Sequence, residues 1–280
     1  MPITTYTIKE YKKQKRKIIA LTAYDYSTAK VLDNAGVDII LVGDSLAQVA
    51  LGYENTLSLT MDEMLHHAKA VVRGVKNSLV VVDLPFLSYQ VSKKEAIYNA
   101  GKCLQAGANA VKLEGASEDI LNTIKKMVTI GIPVMGHIGF TPQSVNAFGG
   151  YRVQGKTANH AKELLKQAKD LQDAGCFAIV LEMLPSETAN LITENIDIPT
   201  IGIGAGSGCD GQILVTDDLI GKYIDFKPSF VRRYAEIGKE SENAIKDFIF
   251  DVQNGKYPGI NETFYMNEAE TEKLCQINKN

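Results

Sequence analysis

The sequence predicts a (β/α)8 barrel (TIM barrel) with a C-terminal helical extension. Three observations carry that expectation: eight short apolar runs recur along the chain, helical patterns fall between them, and no linker divides them. Runs that are apolar at nearly every position read as strands covered on both faces, which means a parallel sheet. A barrel of this kind takes about 250 residues, and the chain has 280. A doubly wound open sheet is the competing architecture, and the count of eight favours the barrel. One domain is expected over residues 1–280, with the barrel at about 18–225, helices at about 228–265 and a polar, frayed tail.

The strands are expected at Ile18–Ala23, Ile39–Val42, Leu79–Val82, Ala110–Leu113, Pro133–Met135, Ala178–Leu181, Thr200–Ile203 and Ile213–Val215. Between them, Ser27 to Ala35 reads as a helix stopped by Gly36. Thr60-Met61-Asp62-Glu63 and Ser92-Lys93-Lys94-Glu95 read as capping boxes at two helix starts. Gly107 and Gly175 come just before strands, where glycine lets a helix end and the chain turn. The basic run Lys12–Lys17 is expected to be a solvated approach to the first strand.

Hydrophobic residues make up 45% of the chain and charged residues 22%, a globular balance that excludes disordered or collagen-like structure. A net charge of −3 gives no electrostatic footprint for nucleic acid. No apolar run reaches the ~18 residues of a membrane span. No apolar segment follows the N-terminal basic run, so a secretory signal is not expected. Cys103, Cys176, Cys209 and Cys275 are isolated, which fits a reducing, cytoplasmic setting.

In a barrel, chemistry gathers where the strands end. The runs end in Asp25, Asp44-Ser45, Asp83, Glu114, His137 and Glu182, and the seventh enters Gly202-Ile203-Gly204-Ala205-Gly206. Asp44, Asp83 and Glu114 on three consecutive strand ends would repel one another without a cation between them. Oxygen ligands suit a hard divalent ion, Mg2+ first. The plainer reading of each aspartate is a cap on the following helix or turn.

Lys112 and Glu114 share one face of their strand by period two, and in a barrel that face points inward. Lys112 is a candidate Schiff-base nucleophile or a stabiliser of an anionic substrate, or else a structural ion pair with Glu114. His137 is either a satisfied core residue or a site residue. Glu182 is flanked by apolar residues, where an idle carboxylate is costly and a raised pKa suits a general base. The glycine cluster 202–208 fails the G-x-G-x-x-G spacing and reads as backbone in close approach to a ligand or to its neighbours. His66, His67 and His160 read as surface or packing residues.

At these residues the sequence resembles the ketopantoate hydroxymethyltransferase family. The resemblance is carried by Leu21-Thr22-Ala23-Tyr24-Asp25-Tyr26, Leu41-Val42-Gly43-Asp44-Ser45-Leu46, Asp83-Leu84-Pro85-Phe86 and Val111-Lys112-Leu113-Glu114-Gly115. Residues 136–144, 149–155, 202–206 and 210–215 extend it, so that it covers roughly residues 3 to 265. The resemblance implies a phosphoenolpyruvate mutase/isocitrate lyase-like barrel, one Mg2+ per subunit and a homodecamer. It implies hydroxymethyl transfer from 5,10-methylenetetrahydrofolate to 3-methyl-2-oxobutanoate, the first committed step of pantothenate biosynthesis. By position, Asp44 and Asp83 would bind the metal directly and Glu114 would join it through water. Asp44, Ser45, Asp83, Lys112 and His137 would contact the keto acid, and Glu182 would accept the proton. The rival readings are a folate-independent, metal-dependent keto-acid lyase or aldolase, a metal-free Lys112 Schiff-base enzyme, and a non-catalytic keto-acid-binding protein.

Overall fold

The computed structural model describes residues 2–277. Eight strands form a closed, wholly parallel barrel in the order β1 to β8. They are β1 Ile18–Thr22, β2 Ile39–Val42, β3 Leu79–Asp83, β4 Ala110–Lys112, β5 Val134–Gly139, β6 Ala178–Glu182, β7 Thr200–Ile203 and β8 Gly211–Leu214. The α-helices are α1 Thr5–Lys13, α2 Tyr26–Ala35, α3 Leu46–Val49, α4 Met61–Gly74, α5 Lys93–Gln105, α6 Glu118–Thr129 and α7 Val145–Phe148. They continue as α8 Ala158–Asp173, α9 Ser186–Glu194, α10 Thr216–Leu219, α11 Ile237–Gln253 and α12 Glu268–Ile277. Among the described residues no helix is long and apolar enough to cross a membrane.

Period two sorts the strand residues into two cores. Outward-facing Ile40, Val42, Val80, Val82, Val111, Ile179 and Leu181 pack with the buried faces of the surrounding helices. Inward-facing Ile18, Ala20, Ile39, Leu41, Leu79, Val81, Ala110, Met135, Ala178 and Val180 fill the barrel. One step further along β3, β4, β5 and β6, the inward positions are Asp83, Lys112, His137 and Glu182. The barrel therefore changes from apolar to ionisable within one layer of side chains.

Several local expectations are met. Asp25 caps α2 by accepting from the Thr28 N–H, and α2 ends at Gly36 with φ +84°. Thr60 and Glu63 exchange both bonds of a capping box. Ser92 accepts from the Glu95 N–H at 3.2 Å, but Glu95 does not bond back, so the second box is only half made. Gly107 and Gly175 have φ +101° and +99°.

Other expectations are corrected. β5 runs on through His137 to Gly139, beyond the apolar run that announced it, because its register with β6 continues to Gly139 opposite Glu182. The N-terminal segment forms α1, whose Ile8 is fully buried with the residues filling the barrel. The basic run is not simply solvated. Lys12 Nζ donates to the carbonyls of Thr193 and Ile198 and pairs with Asp210 at 3.0 Å. Arg16 pairs with Asp38 at 2.8 Å, and Lys17 donates to the Cys209 carbonyl at 2.6 Å. The Lys12 and Lys17 bonds tie the approach of β1 to the segments flanking β7, and Arg16 ties it to the entry of β2. The tail is helical through Ile277 rather than frayed, and residues 278–280 lie outside the described residues.

Candidate active site

The ionisable layer opens into a cavity of about 570 Å3 at the C-terminal ends of the strands. Asp44, Ser45, Asp83, Lys112, Glu114, His137 and Glu182 all line it. All except Ser45 and Glu182 are buried. Asp25 does not join them, because its carboxylate is used as the α2 cap.

Lys112 is the centre of charge. Its Nζ is 3.0 Å from Asp83 Oδ1 and 3.2 Å from His137 Nδ1. Burial alone would lower the lysine pKa. The Asp83, Glu114 and Asp44 carboxylates outweigh burial and hold it above the ordinary lysine value, so the ammonium persists. An ammonium has no lone pair, so His137 Nδ1 must be the acceptor in their contact. Burial, reinforced by the Lys112 charge, pushes the His137 pKa well below its usual value and keeps the ring neutral. The single ring proton is thereby placed on Nε2, which lies 3.4 Å from Glu182 Oε2.

Burial also raises the Glu182 carboxyl to about 7, against the opposing pull of Lys112. Its successor Met183 has φ +49°, a left-handed conformation that non-glycine residues rarely adopt. Two backbone bonds hold Met183 there, from its N–H to the Ile203 carbonyl and from the Gln154 N–H to its own carbonyl, both at 2.9 Å. Local strain of this kind gathers at functional sites.

The carboxylates differ in their partners. The Asp44 N–H donates to Asp83 Oδ2 at 3.0 Å, which sets the two residues side by side. Burial raises Asp83 to about 7, opposed by Lys112 and reinforced by Asp44. Glu114 is pushed well above the usual carboxylate range by burial and then by Asp44. Its Oε2 accepts from the Gln143 N–H at 3.0 Å, and its Oε1 faces His137 Nδ1 at 3.5 Å.

The donor chemistry fits a hard cation. Asp83 Oδ1 and Glu114 Oε1 are buried oxygens with no well-formed hydrogen bond, although Lys112 lies close to the first. Among the described residues no three His, Cys, Asp or Glu side chains converge tightly enough to hold a metal unaided. Mg2+ is commonly held by only one or two carboxylates, with substrate and water oxygens completing the shell. The adjacent Asp44 and Asp83 match that pattern, with Glu114 set apart by Gln143 and His137.

Sequence reasoning did not single out Gln143. Its Nε2 donates to Asp44 Oδ2 at 2.9 Å and to the Leu84 carbonyl at 3.0 Å. Its Oε1 accepts from the Tyr89 hydroxyl at 2.8 Å. One residue thus fixes carboxylates from two strand ends, Asp44 through its side-chain amide and Glu114 through its backbone N–H. Its only signal in the sequence is its place six residues after His137, in the loop leaving β5. Tyr24 is a second such residue, since its hydroxyl lies 2.9 Å from Ser45 Oγ. The glycine cluster serves close approach to neighbours: a Cβ on Gly208 would lie 1.6 Å from Asn190 Oδ1, and one on Gly204 would lie 3.1 Å from Phe230. His67 and His160 pack against backbone, at the Tyr24 carbonyl and the Gly155 N–H.

Solved structures share this architecture at low sequence identity. Phosphonopyruvate hydrolase, in a complex with oxalate and Mg2+, aligns with TM-score 0.61 and 13% identity over 98% of this chain and 97% of that one. The 2,3-dimethylmalate lyase, a member of the PEP mutase/isocitrate lyase superfamily, aligns with TM-score 0.59 and 15% identity over 99% of this chain and 100% of that one. Sequence relatives are much nearer. The 3-methyl-2-oxobutanoate hydroxymethyltransferase of Acetivibrio thermocellus is 52% identical over 98% of this chain and 97% of its own length. That of Enterococcus faecalis is 53% identical over 98% of this chain and the whole of its own length. The family model described as ketopantoate hydroxymethyltransferase matches residues 2–260. The chain belongs to the ketopantoate hydroxymethyltransferase family.

Proposed function

We propose that the protein transfers a hydroxymethyl group from 5,10-methylenetetrahydrofolate to 3-methyl-2-oxobutanoate, giving 2-dehydropantoate (ketopantoate). The observation that carries this reading is the Lys112–His137–Glu182 chain of contacts at one wall of the cavity, in a member of this family. A keto acid with an acidic C3–H needs a base of near-neutral pKa and fixed positive charge beside its anionic end. Glu182 and Lys112 meet those needs. Glu182 removes the C3 proton once ionised. The His137 Nε2–H lies 3.4 Å from Glu182 without a formed hydrogen bond, close enough to donate to that carboxylate once it ionises. Lys112 offsets negative charge on the carboxylate and on the developing enolate. Ser45, steadied by Tyr24, offers a hydroxyl to the keto acid. The enolate carbon then bonds to the folate-borne methylene; water supplies the hydroxyl as the methylene–nitrogen bond breaks, and ketopantoate and tetrahydrofolate are released.

Asp44 and Asp83 would hold one Mg2+, with Glu114 joining through water. When bound, the cation supplies Lewis acidity and makes the C3–H more acidic. The reading includes a cytoplasmic location and assembly into a homodecamer. Assembly is supported by α11, where Ile245, Phe248, Ile249 and Val252 form an exposed apolar stripe at helical spacing and no residue is buried within this chain.

Proton NMR of the two substrates with Mg2+, and again with excess EDTA, tests the reading. Ketopantoate should form in the first sample and not in the second. Formation in a thoroughly chelated sample would remove the metal from the reading, and no product in either would remove the transfer.

A further inference from the structure

The polar end of the cavity accounts for only part of it. About 570 Å3 is the scale of a drug-sized ligand, and a five-carbon keto acid at the Lys112 end leaves much of that volume open. The rest is bordered by the segment that follows β8, which contributes Asp218, Tyr223, Phe226, Phe230 and Val231. Phe226 is 64% exposed and Phe230 is 37% exposed, so both present ring surface that the chain does not cover. Phe230 is seated there by Gly204, where a side chain would collide with its ring.

Asp218 is the anomaly in this apolar wall. It is 7% exposed and lines the cavity. Its neighbour Asp217 is paired, with Lys222 Nζ at 3.0 Å. Among the described residues no donor is hydrogen-bonded to the Asp218 carboxylate. Arg233 acts on it as a compensating charge without a hydrogen bond: its two Nη atoms donate to the Tyr223 carbonyl and to Glu236, and its buried Nε has no partner among the described residues. The Asp218 oxygens open onto the cavity and accept from no donor among the described residues, so they are free to accept from a bound ligand. A flat, partly apolar ligand edged with adjacent N–H donors suits this wall, with rings to cover it and a carboxylate to pair with it.

We propose that Asp218 recognises the pterin ring of the folate donor, its two oxygens accepting from the 2-amino group and the adjacent N3–H while Phe226 and Phe230 cover the ring. Two parallel N–H donors facing one carboxylate make the bidentate pairing that gives such contacts their strength and direction. The assignment rests on the folate-dependent reading above. It makes Asp218 a specificity residue for the donor, separate from the groups that activate the keto acid.

The test measures tetrahydrofolate binding by calorimetry for the parent and for Asp218→Asn, together with KM for each substrate. The expected result is a loss of about ten- to a hundredfold in tetrahydrofolate affinity, mirrored in KM for methylenetetrahydrofolate and not in KM for the keto acid. A 2-desamino-2-methyl tetrahydrofolate analogue provides the second arm. The parent should lose a similar factor on that analogue, and the variant should barely distinguish the two ligands. Unchanged affinity in the variant, equal weakening of both substrates, or additive losses in the cycle would overturn the assignment. Tetrahydrofolate binding that depends on Asp218 in a protein that forms no ketopantoate would keep the subsite and overturn the transfer reaction instead.

Discussion

Lys112 Nζ lies 3.2 Å from His137 Nδ1, and this one contact decides which ring nitrogen carries the proton facing Glu182. The ammonium can only donate, so the imidazole must accept at Nδ1 and present Nε2–H on its other side. A lysine from β4 thereby sets the hydrogen-bonding environment of a carboxylate on β6, two strands away. The first two predictions concern that carboxylate.

Replacing Glu182 by Gln removes the proton acceptor while keeping its shape. Deuterium exchange at C3 of 3-methyl-2-oxobutanoate should slow by about 100- to 10,000-fold. Exchange near the parent rate, followed by NMR in D2O, would refute the assignment of the base.

The same exchange should depend on pH. Burial raises Glu182 to about 7, and only the ionised form can accept a proton. The rate should climb about tenfold per pH unit below 7 and level off above about pH 8. Asp83 is also raised to about 7, but a bound cation favours its ionised form and removes it from this range. A flat profile from pH 5.5 to 8.5 in the Mg2+-loaded enzyme would contradict the role of Glu182.

Lys112→Met should destabilise the fold by roughly 3–5 kcal/mol, because it leaves the buried Asp83 carboxylate without its cation. Urea unfolding measures this. Borohydride with the keto acid should trap no adduct on the parent protein, since Lys112 is held as an ammonium by its carboxylates and is a poor nucleophile in that form. A covalent adduct at Lys112 would favour the Schiff-base mechanism.

Gln143→Leu removes the amide that fixes Asp44. Affinity for Mg2+ should fall about 10- to 100-fold, the usual consequence of losing an outer partner of a ligating group. Titration calorimetry reads the loss directly. Unchanged affinity would show that Asp44 is positioned without Gln143.

The apolar stripe on α11 predicts self-association. Light scattering on eluting protein should show an assembly, and Phe248→Glu with Ile249→Lys should weaken it. A monomer at micromolar concentration would contradict the assembly in the proposed reading.

Much of this was legible in the sequence because barrel strands write a simple pattern. Covered on both faces, they read as unbroken apolar runs, and any ionisable residue at an inward position stands out against them. Lys112, His137 and Glu182 were visible for that reason. Asp25 carried the same strand-end signal and turned out to cap α2, because a single aspartate at a βα junction looks alike in either role. Gln143 and Asp218 were not singled out because neither interrupts an apolar run. Their significance comes from which distant atoms surround them. Helix α1 was missed because the buried side of its pattern is as narrow as Ile8, with polar residues elsewhere.

The bonds joining the approach of β1 to the β7–β8 region also bear on when the sheet can close. Lys17 donates to a carbonyl 192 residues further along the chain, and β1 pairs along one edge with β8. During synthesis from the N-terminus, that edge of β1 has no native partner until the last strand has emerged. The nascent sheet is open at both ends throughout, with an apolar strand at its margin. Such an intermediate invites pairing with other chains. A fold whose first and last strands must meet therefore completes its sheet only when the whole barrel is present.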